Sequence, residues 1–383
     1  MTNHFDVIVV GTGTMGAAAC YHLARRGVKV LGLDQYAVPH TFGSHHGGSR
    51  VIRLSYFEHP DYVALLKRAY DLWDQLGDES RLKVMHLVGG LYLGNPRATV
   101  MAGVKRAADE FQLEHDDLSY DDLRTRFPMF TLPEQTIGFY EDKAGFVVPE
   151  LAVAAHAQLT VQHGGELHGH ECVVDWSATG RGVRVTSDKA TYEADHVVFA
   201  AGAWSRQVVA RLGVELTVTR QVLGWVCPRR PEMFEYPDFP IWNLDITESD
   251  APFAGIYYGF PMIADSPGLK LAFHLPGTPC DPNTVRREPV QGDAESFMPC
   301  LRKFLPDGIG PVLAIRVCLY TNSPDSHFII DQHPEHENVT VACGFSGHGF
   351  KFATVVGEIL ADLATQGRAE MPIAFLGLGR FDR

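Results

Sequence analysis

The stretch "FDVIVVGTGTMGAAACYHLARRG", residues 5–27, contains a β-branched run, a glycine-rich turn and a pattern typical of a helix. The turn has the form G-x-G-x-x-G, with glycines at positions 11, 13 and 16. In a dinucleotide-binding unit, Gly11 permits the tight turn, Gly13 lets the backbone approach a pyrophosphate, and Gly16 lets helix and strand pack closely. The stretch therefore predicts a strand, a phosphate-binding turn and a helix.

A second strand and an acidic residue complete this unit. Residues 29–33 form an apolar run that leads to Asp34, 18 residues after Gly16. An acidic side chain at about this distance accepts hydrogen bonds from ribose hydroxyls. A glycine turn that binds nothing would leave the position of Asp34 unexplained, so the pattern favours a dinucleotide cofactor.

The composition excludes several classes of protein. The 383 residues are 45% apolar and 21% charged, with a net charge of -13, which is typical of a globular protein of about two domains. This charge argues against non-specific binding to nucleic acid or to an anionic membrane. Seven cysteines without a spacing pattern indicate a reducing compartment. Because no basic leader and no apolar run of ~18 residues is found, we expect a cytoplasmic protein with no membrane partner.

Two further strand-and-glycine units lie far along the chain, in "DHVVFAAGAWS" (195–205) and "NVTVACGFSGHGF" (338–350). FAD is long enough to contact several separated loops, whereas NAD would need only one such unit. We therefore predict a mixed α/β and α+β fold with a Rossmann-like FAD-binding domain built from discontinuous segments, residues 1–83, 146–215 and 317–383. Alternating patterns such as "KLAFHLPG" (270–277) predict a sheet-rich substrate domain from residues 84–145 and 216–316.

Helix patterns supply the remaining elements. Apolar periodicity predicts helices over residues 17–26, 60–76, 150–162 and 350–364. Gly77 is expected to end the second of these helices. A further helix is predicted from the "AGAWS" turn through about Leu212.

Six further motifs occur in one order along the chain. They are "SHHG..R.IR" (44–53), "GIYYGFP" (255–261), "GLKL..H" (268–274), "C.YT" (318–321), "HFIID.HPEH" (327–336) and "GFSGHGFKF" (344–352). With the glycine turn and Asp34, they resemble the monomeric sarcosine oxidase family of FAD amine oxidases, which includes N-methyltryptophan oxidases, over essentially the whole chain. The resemblance implies a monomer with FAD, no metal and no nucleic-acid partner.

The resemblance also implies a reaction. A secondary amino acid such as sarcosine is oxidised to an imine, which water hydrolyses to the primary amino acid and an aldehyde, while O2 is reduced to hydrogen peroxide. Cys318 has no C-x-x-C partner and, by residue type alone, resembles a small buried apolar residue. In the family, the cysteine of the "C.YT" segment carries FAD covalently, which implies the same for Cys318.

Individual roles follow from the same resemblance. Arg53 and Lys351 are expected to bind the substrate carboxylate, and Tyr258 and His274 to line the substrate cavity. Lys270 matches the oxygen-activating position, and a solvated surface lysine is its alternative interpretation. On the flavin side, His45 and Arg50 are expected to favour the reduced cofactor. The expected cofactor contacts are Gly11, Gly13, Thr14, Met15, Gly16, Asp34, Ser44, His45, Arg50, Gly202, Cys318, Gly344, Gly347, Gly349 and Lys351.

Three departures from the family pattern leave the substrate open. Relatives carry an acidic residue where Gly48 stands, and a His-Ala pair where residues 54–55 are Leu-Ser. Residues 240–254 also differ, so Trp242 or Phe253 could shape the pocket for N-methyltryptophan or a cyclic imino acid such as pipecolate. Two other functions remain: an FAD dehydrogenase that passes electrons to a protein or quinone, and an inactive flavoprotein that serves as a binding subunit.

Overall fold

The structure is a computed structural model that describes residues 3–180, 182–205, 212–246, 254–264, 266–274 and 277–381. Most of the helix predicted to run through Leu212 lies outside these residues, and so does Phe253. Within the described ranges, no helix is both long enough and apolar enough to cross a membrane.

The chain forms 20 described strands and seven described α-helices. The strands are β1 (Asn3–Val10), β2 (Val30–Leu33), β3 (Arg50–Ile52), β4 (Met85–Leu87), β5 (Gly90–Gly94), β6 (Asp116–Leu118), β7 (Ile137–Glu141), β8 (Gly145–Val147), β9 (Glu166–His168), β10 (Val173–Thr179), β11 (Gly182–Ser187), β12 (Thr191–Phe199), β13 (Thr217–Val226), β14 (Ile241–Asp245), β15 (Ile256–Phe260), β16 (Leu269–Phe273), β17 (Thr278–Pro279), β18 (Val312–Asn322), β19 (Ile329–His333) and β20 (His336–Cys343). The helices are α1 (Thr14–Arg25), α2 (Tyr62–Ser80), α3 (Thr99–Phe111), α4 (Tyr120–Arg126), α5 (Pro149–Gln162), α6 (Met298–Phe304) and α7 (Ala353–Gln366).

An eight-stranded sheet contains the start of the chain. Its order is β10-β11-β12-β1-β2-β9, with β20 beside β12 and β19 beside β20. Strands β20, β12, β1, β2 and β9 pair in parallel, and helices α1, α5 and α7 pack together next to them. Because the carboxyl ends of parallel strands meet at one edge, the loops after β1, β2, β12 and β20 converge there.

A nine-stranded sheet carries the rest of the candidate site. Its order is β17-β13-β16-β15-β14-β5-β7-β6, with β18 paired to β13. One face packs on an aromatic core that includes Phe234, Phe239, Trp242 and Phe297. A small sheet, β3-β8-β4, does not pair with either large sheet. The predicted mixed fold, with a parallel sheet from separated segments and a second sheet-rich unit, is confirmed.

Two boundaries differ from expectation. Helix α2 does not end at Gly77 but continues to Ser80, and Arg81 adopts the left-handed conformation that closes it. The chain then folds back, since Leu82 donates to the Gly77 carbonyl at 3.2 Å, and a β-carbon at Gly77 would lie 3.3 Å from the Leu82 oxygen. Strand β18 runs without a break across residue 317, so the predicted domain limit falls inside a strand. The domain ranges stay a prediction.

Candidate active site

A cavity of about 1120 Å³ is lined by residues from both large sheets. The nucleotide side contributes Gly11, Gly13, Thr14, Met15, Asp34, Ser44, His45, Arg50, Gly202, Gly344, Gly347 and Gly349. The nine-stranded sheet and the residue after β16 contribute Asn243, Tyr258, Phe260, His274, Cys318 and Tyr320, while Arg53 and Glu58 follow β3 and Lys351 precedes α7. Nearly all residues expected at the site therefore share one cavity, whereas Gly16 and Lys270 lie just outside its lining.

The glycine turn has the geometry that a phosphate-binding turn requires. A β-carbon on Gly11 would lie 2.7 Å from the Ala200 carbonyl oxygen, and one on Gly16 would lie 1.8 Å from the Gly11 oxygen. Gly13 lines the cavity, and a β-carbon there would meet no atom within 4 Å. Close packing therefore requires glycine at positions 11 and 16. The space next to the α-carbon of Gly13 leaves room for a ligand to approach the backbone.

Asp34 is a buried acceptor at the carboxyl end of β2. Its carboxylate accepts from the backbone N–H groups of Thr12 at 2.8 Å and Tyr36 at 2.9 Å. The Nε2 atom of His40 lies 3.5 Å away. Burial alone would raise the pKa of Asp34, but these partners outweigh it and hold the pKa below its usual value. The carboxylate is therefore ionised and can accept further hydrogen bonds.

The segment after β2 is held by its own polar contacts. The Arg50 guanidinium donates to the carbonyls of Ser44 at 3.0 Å and His46 at 2.5 Å. The Glu150 carboxylate accepts from the backbone N–H groups of residues 47–48, at 2.6 Å and 3.1 Å. Gly48 has a φ of 77°, in the left-handed region that favours glycine, although a β-carbon there would meet no atom within 4 Å.

Three residues of the cavity lining have buried polar atoms without a described partner. They are Nε2 of His45, Oδ1 of Asn243 and Oγ1 of Thr321. Burial lowers the pKa of His45 to about 4, so its ring is neutral at pH 7. Because buried polar atoms are normally hydrogen-bonded, such orphan atoms are typical of a site completed by a ligand. With the open side of Gly13 and the acceptor Asp34, the lining fits a bound dinucleotide.

Cys318 lies on β18 and is 1% exposed. It packs with Leu223, Trp225 and Ala272 and lines the cavity. Burial raises the pKa of its thiol, while the charges of Arg50 and Lys270 oppose that shift. All seven cysteines are free, and Cys343, also buried, lies outside the cavity lining.

Lys270 is buried rather than solvated, with an exposed fraction of 1%. Its Nζ donates to the carbonyl oxygen of Ser49 at 2.6 Å and to the Ser49 hydroxyl at 3.1 Å. The ammonium also lies 4.4 Å from the Phe260 ring centroid and 5.6 Å from that of Trp225. Burial lowers its pKa well below the usual value. The interpretation as a surface lysine is therefore wrong.

Arg53 is a buried cation that already has a carboxylate partner. Its guanidinium donates to Glu58 at 2.7 Å and to the Ser55 carbonyl at 2.8 Å. Tyr56 and Phe57 pack their rings against it, at 4.6 Å and 4.2 Å. Burial alone would raise the pKa of Glu58, but Arg53, His348 and Lys351 together with a backbone hydrogen bond outweigh it and lower that pKa to about 2. Sequence analysis assigned no role to Glu58. The signal that could have indicated it is the presence of an acidic residue five positions after Arg53.

Lys351 lies close to this ion pair, in the short 3-10 turn before α7. It is 5% exposed, and its Nζ donates to the His348 carbonyl at 2.9 Å. The Nζ also lies 5.1 Å from the centroid of the Tyr56 ring. Burial lowers the pKa of Lys351 to about 7, with Arg53 acting in the same direction and Glu58 opposing it. Lys351 is thus the cation of this site whose charge changes near neutral pH.

Tyr258, His274 and Tyr320 form a polar aromatic cluster. The Tyr320 hydroxyl lies 3.2 Å from Nδ1 of His274, and the Tyr258 ring lies edge-on to His274 at 6.1 Å. Burial raises the pKa of Tyr258 to about 12 and lowers that of His274 to about 4, so both are neutral at pH 7. Tyr320 is the tyrosine of the "C.YT" motif, and sequence analysis assigned it no role.

Trp242 does not shape the cavity, contrary to expectation. It is fully buried in the core on the other face of the sheet, where it meets Phe130 edge-on at 5.7 Å. The next residue, Asn243, lines the cavity instead. Because successive side chains of a strand point to opposite faces, the two residues cannot both face the cavity.

A second polar cluster lies at the turn between β19 and β20. His333, Glu335 and His336 have side-chain ligand atoms within 4.8 Å of one another. However, Nδ1 of His333 accepts from the Glu335 backbone N–H at 3.1 Å. In a neutral ring this places the proton on Nε2, the nitrogen that would otherwise bind a metal. The turn is therefore explained by its own hydrogen bond.

Comparison with known proteins identifies the family. Residues 6–363 match the model of the DAO family, described as FAD dependent oxidoreductase. The chain belongs to this family. It is 43% identical over 382 residues to monomeric sarcosine oxidase from Streptomyces avermitilis, covering 97% of each chain. It is 35% identical over 382 residues to N-methyl-L-tryptophan oxidase from Yersinia pestis strain Pestoides F, covering 98% of this chain and 99% of the relative.

Solved structures of two other proteins share the fold. NikD, an unusual amino acid oxidase essential for nikkomycin biosynthesis, superposes with a TM-score of 0.85 at 24% identity, covering 98% of both chains. L-proline dehydrogenase from P. horikoshii gives a TM-score of 0.81 at 21% identity, covering 100% of this chain and 99% of that one. The predicted family and the prediction of an FAD-dependent oxidoreductase are confirmed.

Proposed function

We propose that this family member oxidises the C–N bond of a secondary, N-methyl amino acid such as sarcosine. The imine product is hydrolysed to the primary amino acid and an aldehyde, and O2 is reduced to hydrogen peroxide. The full-length similarity to proteins named monomeric sarcosine oxidase supports the reaction class. The observation that carries the proposal is the pair of buried cations, Arg53 and Lys351, in the wall of the cavity.

The two cations suit a substrate carboxylate. A buried carboxylate without a counter-charge is strongly disfavoured, and an arginine fork binds it with good geometry. In the structure Glu58 occupies part of the Arg53 fork at 2.7 Å. A substrate carboxylate must therefore share the guanidinium with Glu58 or displace it. Lys351 then supplies the additional positive charge.

The same residues prepare the substrate amine. Only a neutral amine has the lone pair that oxidation requires, and a nearby cation disfavours the protonated amine. Tyr258 and His274, both neutral at pH 7, provide uncharged walls around it. When bound, FAD accepts a hydride equivalent from the carbon next to the amine and passes the electrons to O2.

FAD is expected to lie along the glycine turn, with Gly13 next to its pyrophosphate and Asp34 next to a ribose. His45 and Arg50 line the cavity between these groups and Cys318. We propose that Cys318 would hold FAD covalently, as a thioether to its 8-methyl carbon: the thiol and the methyl group would each lose one hydrogen, and O2, the oxidant of the proposed reaction, would be reduced to hydrogen peroxide. Its burial in the cavity wall and the nearby charges of Arg50 and Lys270, which favour the thiolate, support this assignment.

A peroxide assay over a substrate panel tests the function. The panel contains sarcosine, N-methyl-L-tryptophan, pipecolate and a secondary amine without a carboxylate. Arg53→Ala should lose roughly 2 to 5 kcal/mol of binding for the amino acids but little for the simple amine. Lys351→Ala should also weaken binding of the amino acids more than binding of the simple amine. Arg106→Ala, at an exposed arginine, serves as the control.

Two outcomes would contradict the proposal. An unchanged ratio of amino acid to simple amine in Arg53→Ala and in the double variant would exclude the carboxylate site. Reduction of an artificial electron acceptor without peroxide would indicate a dehydrogenase instead of an oxidase.

A further inference from the structure

One face of the nine-stranded sheet forms a wall of the cavity. Directly opposite residues form a row across this sheet: Tyr92 on β5, Asn243 on β14, Tyr258 on β15 and Ala272 on β16. Side chains that lie directly opposite one another project to the same face. Asn243 and Tyr258, at the centre of this row, line the cavity, whereas Tyr92 and Ala272 lie on the same face outside its lining.

Asn243 is an amide in an otherwise aromatic part of this wall. Its strand neighbours Trp242 and Leu244 are buried in the core on the opposite face. On the cavity side, Asn243 lies between Tyr92 and Tyr258 in the row, with Phe260 on the next strand also in the lining. The amide is therefore placed where a ligand, rather than the protein core, meets it.

The amide lacks a partner in the described part of the chain. Its Oδ1 is buried and accepts no hydrogen bond from any described residue. A buried carbonyl without a hydrogen bond is destabilising, and such groups in native proteins need an explanation. The terminal torsion of asparagine is broad, so the amide can turn either its oxygen or its NH2 group to a ligand. A ligand in the cavity can supply the missing partner.

The carboxylate site lies close to this amide. The Arg53 guanidinium lies 5.9 Å from the ring centroid of Tyr92, which is the neighbour of Asn243 in the row. Adjacent strands are about 4.8 Å apart. A substrate whose carboxylate contacts Arg53 therefore has its side chain within reach of Asn243.

The chemistry of this wall restricts the side chain. Tyr258 and His274 are neutral at pH 7, and Glu58 is already paired with Arg53. A charged side chain beside Asn243 would be desolvated without a counter-charge in the row, which is strongly disfavoured. An uncharged group that donates or accepts a hydrogen bond avoids this penalty and pairs with the amide.

We propose that Asn243 is a specificity residue and that the preferred substrate is an N-methyl amino acid whose side chain ends in an uncharged hydrogen-bonding group, a hydroxyl or an amide. This inference rests on the proposed function, because it concerns the same cavity. The inference specifies which N-methyl amino acids the protein prefers. Sites built to hydrogen-bond a substrate group discriminate strongly against analogues that lack the group.

Near-isosteric substrate pairs test the proposal. N-methyl-L-asparagine is compared with N-methyl-L-leucine, and N-methyl-L-threonine with N-methyl-L-valine, by kcat/KM for peroxide release. The protein should prefer the polar member of each pair by about tenfold or more. Asn243→Leu should abolish or reverse this preference. The kcat/KM for sarcosine, which has no side chain, is measured in each protein as the reference to which the values for the four larger substrates are normalised.

Two controls separate specificity from structure. Asn338→Leu makes the same substitution on β20, outside the cavity, and should leave both ratios unchanged. The melting temperature of Asn243→Leu should be unchanged or higher, since the substitution removes an unpaired buried carbonyl. Equal ratios in the unmodified protein and Asn243→Leu would overturn the inference, whether or not the melting temperature falls.

The failure of this inference can be told from failure of the proposed function. If sarcosine is oxidised with peroxide release but neither polar substrate is preferred, only the role of Asn243 is overturned. If no N-methyl amino acid in the panel is oxidised by either protein, the proposed function itself fails, and the inference fails with it.

Discussion

Lys270 has a buried side-chain amine for which we propose a role in oxygen chemistry. Its ammonium is held by Ser49 and lies beside the rings of Phe260 and Trp225, so it is fixed and almost completely desolvated. One-electron reduction of O2 creates superoxide, and a fixed cation in a poorly solvated site stabilises that developing negative charge. We therefore expect Lys270 to act on the oxygen half-reaction.

Lys270→Met separates the two half-reactions. It should slow reoxidation of the reduced protein by O2 by roughly two powers of ten, about 3 kcal/mol of barrier, and affect anaerobic reduction by substrate much less. Stopped-flow absorbance measures both rates. Lys303→Met, on α6, is the matched control. An unchanged oxygen rate in Lys270→Met would exclude this role and favour a dehydrogenase.

The lowered pKa of Lys351 predicts that the binding of carboxylates depends on pH. Its pKa is lowered to about 7 by burial, and a bound carboxylate should raise it again. The charged lysine is therefore fully present below pH 7, and affinity should fall as pH rises through about 7 toward the raised pKa of the complex. Acetate isolates this effect because it has no amine to titrate.

The measurement is the inhibition constant of acetate between pH 6 and pH 9. It should rise toward tenfold per pH unit above about pH 7, and Lys351→Met should bind acetate weakly without this dependence. The same slope in Lys351→Met would assign the titration to another group.

Cys318 gives the most direct chemical test of the site. Cys318→Ser should fold but carry no covalently attached flavin, because a serine hydroxyl is a much weaker nucleophile than a thiolate. After acid denaturation, yellow colour should stay with the unmodified polypeptide and with Cys343→Ser, but separate from Cys318→Ser. Colour retained by Cys318→Ser would exclude it as the attachment residue.

Sequence reasoning reached the residues that belong to local motifs and missed those defined by their neighbours in space. Gly13 and Asp34 could be found because their motif implies a local geometry, and Lys351 was assigned through the resemblance to a family. Glu58 and Asn243 could not, since their importance depends on Arg53 and on the strand register opposite Tyr258. Alternation along β14 could have indicated that Trp242 and Asn243 face opposite ways, but not which of them faces the cavity.

At the scale of single elements, the turn between β1 and α1 offers a matched pair of glycine variants. A β-carbon at Gly16 would lie 1.8 Å from a backbone oxygen, whereas one at Gly13 meets no atom within 4 Å. Gly16→Ala should therefore destabilise the protein, with or without cofactor. Gly13→Ala should leave the folded chain intact but obstruct a ligand at the turn.

Thermal unfolding and flavin content measure this difference. Made in the Cys318→Ser background, Gly13→Ala should keep the melting temperature of the cofactor-free protein and bind added FAD at least tenfold more weakly. Gly16→Ala should lower that melting temperature by several degrees. Equal FAD affinity in Gly13→Ala and its parent would place the cofactor away from this turn.

The ends of helices and strands are predicted less accurately from sequence patterns than the elements themselves. Strand β2 ends at Leu33 as expected, because Asp34 marks its end, whereas α1 begins at Thr14, three residues before the predicted start. Helix α2 passes Gly77, since packing of the returning chain, rather than the glycine itself, determines where it ends. Strand β18 crosses a predicted domain limit because its pairing with β13 is a long-range contact.

At the scale of the whole molecule, the cavity is shared between the two large sheets, so a bound cofactor should couple them. The glycine turn lies at the edge of the eight-stranded sheet, while Tyr258 and Cys318 belong to the nine-stranded one, and all of them line the same cavity. A ligand that binds only the folded state stabilises it, by about 2.7 kcal/mol at a concentration of 100 times its Kd. Binding of FAD should therefore stabilise both sheets against local unfolding.

Hydrogen exchange of the Cys318→Ser protein, with and without added FAD, tests this coupling. Amides in residues 11–16 and in β15 should both exchange more slowly when FAD is present, because opening of either sheet would release ligand contacts. Helix α4, none of whose residues lines the cavity, provides the internal control and should change little. Protection confined to residues 11–16 would mean that FAD binds the eight-stranded sheet alone. The nine-stranded sheet would then hold substrate without contacting the cofactor, which contradicts the attachment at Cys318.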